Sequence, residues 1–299
     1  MQLWLNGQFI DSAEAKISVF VAGFQHGVGL FETMLARNGR VFRIDAHMHR
    51  LAGSAEELRL SKRLRPAPLA EAAELTVQRN KMERARVRLT VTGGDLNLLQ
   101  SAGRTQQDPT ILIVAQPPTP YPDAFFEKGV SVVIADARSN PLSPMAGHKT
   151  LNYWPRIQAL QQAAGRGAGE ALWFTVSNHL ASGSVSNVFL IKDGELLTPI
   201  VRGEEEVGAL PAPVLPGITR SVIIELADDL GLAVTRRTLD INDVLGADEV
   251  FLTNSSWGVL PVIGVEKENI ADGEVGEITK RLRDGWLEVV EAETGNPRD

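Results

Sequence analysis

The sequence contains no cysteine among its 299 residues. This excludes disulfide bonds, thiolate zinc sites and cysteine nucleophiles, and it removes thiols as an indicator of redox compartment. Only five histidines are present. His47 and His49 lie two positions apart on a predicted helix, so their side chains point in different directions, and we expect no metal site.

Long apolar runs and an excess of positive charge are also absent. No apolar stretch approaches the roughly 20 residues that a membrane-spanning helix needs. The first residues lack the charged and apolar regions of a signal peptide. The net charge of −7 argues against nucleic acid as a partner. We therefore expect a cytoplasmic protein that binds neither membranes nor nucleic acids.

Three common ligand motifs are missing as well, namely the GxGxxG dinucleotide fingerprint, the P-loop and the GxSxG nucleophile turn.

What the chain does have is a proline-rich stretch in its middle. Residues 116–122 hold four prolines in seven positions, which neither a helix nor a strand ladder tolerates. This predicts a linker at 117–123, between a smaller α/β domain at 1–116 and a larger domain at 124–299.

Hydrophobic spacing predicts the main elements of both parts. Apolar residues at helical spacing predict helices at 46–60, 69–83 and 218–230. Alternating or continuous apolar residues predict strands at 19–21, 85–92 and 249–252.

Lys149 is the candidate reactive residue, and it precedes three turns rich in glycine or hydroxyl groups, at 182–187, 215–220 and 253–256. A lysine amine condenses with an aldehyde, while helix N-termini and hydroxyls bind phosphate. An anionic cofactor that carries an aldehyde requires this combination. Each part also has a simpler interpretation: a solvated surface lysine, an ordinary helix cap and a polar turn. In the same way, Arg50 on the first helix either binds an anion or pairs with a nearby glutamate.

Taken in order, these residues resemble the class IV aminotransferase family, the fold-type IV enzymes that use pyridoxal 5′-phosphate (PLP). The resemblance covers roughly residues 3–285. It rests on residues 23–33, 47–51, 149–153, 183–189 and 215–220. It implies a two-domain α/β (α+β) fold with PLP in the cleft between the domains. It also implies a homodimer that acts on a small amino substrate.

The resemblance also assigns residues to the site. It implies that Lys149 is the Schiff-base lysine and the proton shuttle. The residues that it implies for cofactor binding are Arg50, Lys149, Tyr153, Ser182, Leu215, Gly217, Ile218, Thr219 and Ser255. Those that it implies for substrate binding are His26, Phe31, Arg88 and Ser256.

Ser182 departs from the family pattern. Family members carry a glutamate at this position, where it pairs with the protonated pyridine nitrogen of PLP. A serine cannot offset that charge, so the ring should be a weaker electron sink. A carboxylate from residues 204–206 is one candidate replacement. A second departure is Gly93, which stands where D-amino-acid aminotransferases have a carboxylate-binding arginine, and it weighs against a D-amino-acid substrate.

These features favour 4-amino-4-deoxychorismate lyase, which releases pyruvate and leaves 4-aminobenzoate for folate synthesis. Residues 253–262 resemble the lyases, and aromatisation would drive the elimination without the missing glutamate. The alternative is an amino-acid aminotransferase, branched-chain-like or of broader amine specificity. A further alternative is a non-catalytic homologue that only binds PLP or another ligand, and Ser182 alone supports it.

Overall fold

The computed structural model describes residues 1–94 and 109–295, which form two compact units. The first unit comprises Met1–Thr119, His148–Asn152 and the segment that begins at Val290. The second comprises Pro120–Gly147 and Tyr153–Val289. The change between Thr119 and Pro120 falls in the predicted linker. The units differ from the predicted domains because the segment that carries Lys149 belongs to the first.

The first unit contains a six-stranded sheet in the order β2-β1-β6-β5-β3-β4, and all of its strand pairs are antiparallel. Its strands are β1 (Gln2–Leu5), β2 (Gln8–Asp11), β3 (Gly29–Arg37), β4 (Arg40–Val41), β5 (Arg84–Thr92) and β6 (Ile111–Gln116). Its helices are α1 (Ala22–His26), α2 (Ile44–Glu57) and α3 (Pro66–Arg79).

Strand β5 shows why this sheet forms. Val87, Leu89 and Val91 alternate with polar residues and are fully buried. They join a hydrophobic core that α2 covers with Met48, Leu51 and Ala55 and that α3 covers with its own apolar face. The other face of β5 carries Arg86 and Arg88. The period of two residues therefore places the arginines together on the face opposite this core.

The second unit contains a nine-stranded mixed sheet in the order β12-β11-β10-β13-β14-β7-β8-β9, with β15 paired to β14. Its strands are β7 (Val130–Ser139), β8 (Glu170–Thr175), β9 (Leu180–Gly183), β10 (Asn187–Lys192), β11 (Glu195–Thr198), β12 (Val234–Arg236), β13 (Glu249–Asn254), β14 (Gly258–Val265) and β15 (Glu268–Asn269). Its helices are α4 (Ala124–Glu127), α5 (Trp154–Gly165), α6 (Ile218–Asp229) and α7 (Ile241–Leu245). Helix α8 (Glu277–Thr294) begins in this unit, and its residues from Val290 onward belong to the first unit.

The central strands of this second sheet are buried on both faces. Every residue of β8 is buried, and β10 is buried except for its last residue. Phe189 on β10 stacks on Phe251 on β13 with ring centroids 5.0 Å apart. Continuous apolar runs of this kind are typical of strands covered on both sides. The buried strands hold the loops that connect β9 to β10 and β13 to β14 in fixed positions.

The structure confirms most of the predicted elements and corrects one. Helices α2, α3 and α6 and strands β5 and β13 lie within a few residues of their predicted bounds. The strand predicted at 19–21 is wrong, because Val19 and Phe20 are exposed in a turn and α1 begins at Ala22. In the part of the chain that the structure describes, no helix combines the length and apolarity needed to cross a bilayer.

Candidate active site

Lys149 is held against the start of β3. Its carbonyl accepts a hydrogen bond from the Phe31 N–H at 3.0 Å, and the Leu151 N–H donates to the Gly29 carbonyl at 2.9 Å. Gly29 permits this close approach, since a Cβ there would lie 2.6 Å from Leu151 Cδ1 and 2.4 Å from the Val91 carbonyl oxygen. The backbone of the lysine segment is thus fixed by β3, while its side chain is half-buried.

Phe31 and Arg88 are two of the predicted substrate-binding residues, and the Phe31 ring contacts both Lys149 and Arg88. Lys149 Nζ lies 4.6 Å from the centre of the Phe31 ring. The Arg88 guanidinium carbon lies 3.6 Å from the same ring centre. A ring face attracts cations, so Phe31 orients both side chains. His26 ends α1 as an exposed side chain, and nothing in the described structure joins it to this group.

Arg50, predicted to bind phosphate, forms a buried ion pair with Glu32. Its Nε and Nη2 donate to the two Glu32 carboxylate oxygens at 2.9 and 2.5 Å. Burial by itself raises the pKa of Glu32, but the Arg50 charge and the hydrogen bonds from His47 and Arg50 outweigh it and lower that pKa to about 2. The carboxylate is therefore ionised at any physiological pH.

His47 completes this cluster from the next turn of α2. Its Nδ1 lies 2.8 Å from a Glu32 oxygen, and its side chain is buried. Burial lowers the pKa of His47, and the charges of Arg50 and Lys149 lower it further, against the effect of Glu32. An ionised carboxylate only accepts, so Nδ1 carries the hydrogen of a neutral imidazole. His47 and Glu32 were missed as site residues because their pairing spans 15 positions of sequence.

In the second unit, the first turn of α6 carries Ile218 and Thr219. Gly217 caps this 12-residue helix, and within the described residues no side chain caps the amides of its first turn. These N–H groups and the helix dipole suit a phosphate. A Cβ at Gly217 would lie 1.9 Å from Asn187 Oδ1, so a larger residue here would force Asn187 or the start of α6 to move.

The three predicted turns of this unit meet around the start of β10. Asn187 Nδ2 donates to the Leu215 carbonyl at 2.9 Å, which joins the 182–187 turn to the entry of α6. Asn254 Nδ2 donates to the Val185 carbonyl at 3.2 Å, which joins the 253–256 turn to the same loop. Asn254 Oδ1 also accepts from the Ser256 N–H at 2.8 Å and so fixes the position of Ser255 and Ser256.

Glu170, at the start of β8, holds the 182–187 turn from within the core. Its two oxygens accept from the N–H groups of Ser184 and Val185 at 3.1 and 3.2 Å and from the Ser186 hydroxyl at 3.2 Å. Burial raises the pKa of Glu170, and these hydrogen bonds oppose that effect. A glutamate that begins an otherwise apolar strand was the available signal in the sequence.

Arg156 and Tyr153, at the start of α5, hold the same turn from its carbonyl side. Arg156 Nη1 lies 3.2 Å from Ser182 Oγ, and it donates to the carbonyls of Gly183 and Ser184 at 2.8 and 3.1 Å. The Tyr153 hydroxyl donates to the Ser184 carbonyl at 3.3 Å. Sequence reasoning missed Arg156, whose partner Ser182 is 26 positions away.

Two of the three carboxylates considered as replacements for the missing glutamate, Glu204 and Glu205, are engaged elsewhere. Glu204 pairs with Arg220 through two hydrogen bonds of 2.8 Å. Glu205 accepts from the N–H groups of Gly203 and Ala212. Ser182 itself is buried on β9, opposite Trp173. The group that contacts its hydroxyl is thus a cation, Arg156.

Comparison with solved structures identifies the class of this fold. The branched-chain amino acid aminotransferase of Escherichia coli superposes with a TM-score of 0.87 at 26% identity, over 99% of this chain and 96% of that one. Another branched-chain aminotransferase, with a TM-score of 0.86 at 27% identity, was solved with pyridoxamine 5′-phosphate. The 4-amino-4-deoxychorismate lyase of Pseudomonas aeruginosa superposes with a TM-score of 0.80 at 27% identity, over 97% and 98%. The fold is that of the fold-type IV PLP enzymes.

Sequence comparison identifies the family. The model described as Amino-transferase class IV matches residues 29–265. A putative branched-chain-amino-acid aminotransferase of Methanocaldococcus jannaschii is 33% identical over 97% of this chain and 96% of its own length. The chain therefore belongs to the class IV aminotransferase family, and it is an enzyme whose cofactor is PLP. Within the second unit, the first-turn amides of α6 are suited to a phosphate group such as that of this cofactor. Within the first unit, the half-buried Lys149 amine is suited to an aldehyde.

Proposed function

We propose that this protein is an amino-acid aminotransferase that attaches PLP at Lys149. The observation that carries the proposal is the setting of Lys149, whose backbone is held by β3 and whose amine lies beside the Phe31 ring. The Arg88 guanidinium contacts the same ring. The extent of similarity to branched-chain aminotransferases supports transfer over lysis. This similarity favours the aminotransferase, given as the alternative in the sequence analysis, over the lyase that the sequence led us to expect.

The cofactor residues of this proposal come from the sequence resemblance and from the geometry of each unit. When PLP is bound, Ile218 and Thr219 would donate to its phosphate from the first turn of α6. Leu215 would pack on the ring, and Gly217 would give the turn its close approach. The resemblance adds Arg50, Tyr153, Ser182 and Ser255 as further cofactor-binding candidates.

When bound, PLP withdraws electrons from the substrate α-carbon and makes its proton acidic. Lys149 Nζ removes that proton and returns it to complete the transfer. Arg88 binds the substrate carboxylate as a bidentate donor. Phe31, which contacts both Lys149 and Arg88, lines the substrate position. His26 and Ser256 are the remaining candidate substrate contacts.

We further propose that the enzyme works as a homodimer in the cytoplasm. Large apolar side chains are exposed in both units, with Phe24 at 75% and Trp154 at 68% of their full exposure. Such residues support burial against a second copy. Sedimentation at micromolar concentration should give twice the chain mass of 32.5 kDa, and a single-chain mass would contradict the dimer.

The test of activity supplies L-leucine, L-valine or D-alanine as the amino donor, each with and without a keto-acid acceptor. Without the acceptor, an aminotransferase stops after one equivalent of keto-acid product per active site. With the acceptor, it turns over repeatedly. Lys149→Ala should abolish turnover, while Lys280→Ala, which removes an exposed lysine paired with Glu277, should leave it unchanged. Turnover retained in Lys149→Ala would overturn the proposal.

The lyase is the second candidate, because a solved lyase shares the fold along nearly the whole chain. It would release pyruvate from 4-amino-4-deoxychorismate without any acceptor. This outcome, together with failure of every amino donor, would replace the aminotransferase proposal with the lyase and its role in folate synthesis.

A further inference from the structure

We propose that Arg156 fixes Ser182 as a hydrogen-bond donor and so keeps the ring nitrogen of the bound cofactor unprotonated. This inference rests on the proposed function, in which Ser182 contacts the cofactor, and on the family pattern, in which position 182 faces the ring nitrogen. It assigns to Arg156 a positioning role, since the arginine acts through the serine and through its own charge.

The direction of the hydrogen bond follows from the chemistry of the two side chains. Arg156 Nη1 lies 3.2 Å from Ser182 Oγ. A guanidinium has only donors, so Oγ must be the acceptor in this contact. The hydroxyl hydrogen of Ser182 is then directed to another acceptor. A pyridine nitrogen that receives this hydrogen uses its lone pair and is unprotonated.

Arg156 cannot turn away easily from this position. It also donates to the carbonyls of Gly183 and Ser184, and its guanidinium carbon lies 4.8 Å from the centre of the Trp173 ring. The planar fork of arginine suits several carbonyl acceptors and a ring face at once. Ser182 is therefore bonded to a fixed group.

The charge of Arg156 acts in the same direction as its hydrogen bond. An arginine is always ionised, and a nearby positive charge disfavours a second cation such as a pyridinium. The carboxylate on the other side of the turn, Glu170, is directed at the amides of Ser184 and Val185. The charged group that contacts Ser182 is therefore the Arg156 cation and not the Glu170 carboxylate.

The experiment binds PLP labelled with ¹⁵N at the ring nitrogen to the full-length protein and follows its ¹⁵N resonance across the neutral pH range. In the wild type we expect the position of an unprotonated pyridine at every pH. In Arg156→Met, which removes the charge and the donors, the resonance should move toward the protonated position as the pH falls. Arg156→Lys keeps a charged donor and should remain close to the wild type.

Ser182→Glu provides a second variant, in which a carboxylate replaces the hydroxyl and Arg156 is kept, and it should give the protonated resonance. Arg166→Met is the matched control, since Arg166 follows α5, is exposed and pairs with Glu266; its resonance should match the wild type. A protonated nitrogen in the wild type, or the same resonance in Arg156→Met and Ser182→Glu as in the wild type, would overturn the inference.

Borohydride reduction of the same samples separates this inference from the proposed function. If PLP is fixed to Lys149 but its nitrogen is protonated in the wild type, the role of Arg156 is wrong and the proposed attachment stands. If PLP is not fixed to Lys149, both fall.

Discussion

Glu32 and Arg50 form a buried ion pair in which both carboxylate oxygens accept hydrogen bonds from one guanidinium, at 2.9 and 2.5 Å. His47 donates to the same carboxylate. The pair fixes the plane of Arg50 and compensates its charge inside the first unit. Glu32 lies on β3, the strand that also holds the backbone of Lys149, and Arg50 lies on α2.

Glu32→Gln keeps the size of the side chain and removes its charge, which leaves Arg50 without compensation. Loss of one partner of a buried pair should lower the free energy of unfolding by about 3 kcal/mol. Urea denaturation measures this, and Glu288→Gln, at an exposed position of α8, should remain within about 0.5 kcal/mol of the wild type. Equal stability of Glu32→Gln and wild type would show that the pair is neutral.

The same cluster predicts a loss of stability in acid. Burial lowers the pKa of His47 below its usual 6.5, so the unfolded chain binds a proton there before the folded protein does. The free energy of unfolding should therefore fall as the pH drops below about 6.5. The pKa of Glu32 is lowered from 4.5 to about 2, so its contribution is lost between those two pH values.

His47→Gln should flatten the stability curve just below pH 6.5, because the group that titrates there is gone. His49→Gln is the matched control, since His49 is an exposed histidine of the same helix. Denaturation at a series of pH values measures both curves. A slope in His47→Gln equal to that of the wild type would assign the acid sensitivity to other groups.

Gly217→Ala should weaken PLP binding. The new Cβ would lie 1.9 Å from Asn187 Oδ1, so Asn187 or the start of α6 must move. We expect at least a tenfold rise in the dissociation constant of PLP, about 1.4 kcal/mol. Gly165→Ala is the control, because a Cβ there meets nothing within 4 Å. Unchanged PLP affinity in Gly217→Ala would exclude this helix end from the cofactor site.

Ser182→Glu should raise the rate of the first transamination half-reaction, since a carboxylate stabilises a protonated ring and a serine does not. A tenfold increase, about 1.4 kcal/mol in the barrier, is the expected order. Single-turnover kinetics with an amino-acid donor measures it. Ser177→Glu adds the same charge at an exposed position and should have no effect. A rate in Ser182→Glu at or below that of the wild type would mean that position 182 does not face the ring.

Periodicity predicted the elements that have one buried face. The helices α2 and α6 and the strand β5 each alternate buried with exposed positions at the spacing of their own geometry. Strand β3 was not predicted, because its apolar residues do not follow its burial: Glu32 is buried and Leu35 is only half-buried. Strand β14 was missed because it is buried on both faces and so shows no alternation, and Pro261 within it also argues against a strand.

The site was predictable as a set of segments but not as a set of contacts. Lys149 and the three turns are local patterns that the chain shows in order. The partners that fix them are distant in sequence, as with Arg50 and Glu32, 18 residues apart, and Arg156 and Ser182, 26 residues apart. Local propensity carries no information on such pairs, because the packing of a helix against a sheet creates them: the first pair joins α2 to β3, and the second joins α5 to β9.

Mass mapping after borohydride reduction of the protein with PLP tests the attachment of the cofactor most directly. Digestion should place the reduced cofactor on the peptide that carries Lys149, and the label should be absent from Lys149→Ala. The label on another lysine, or no label in the wild type, would contradict the assignment of Lys149 as the residue that binds PLP.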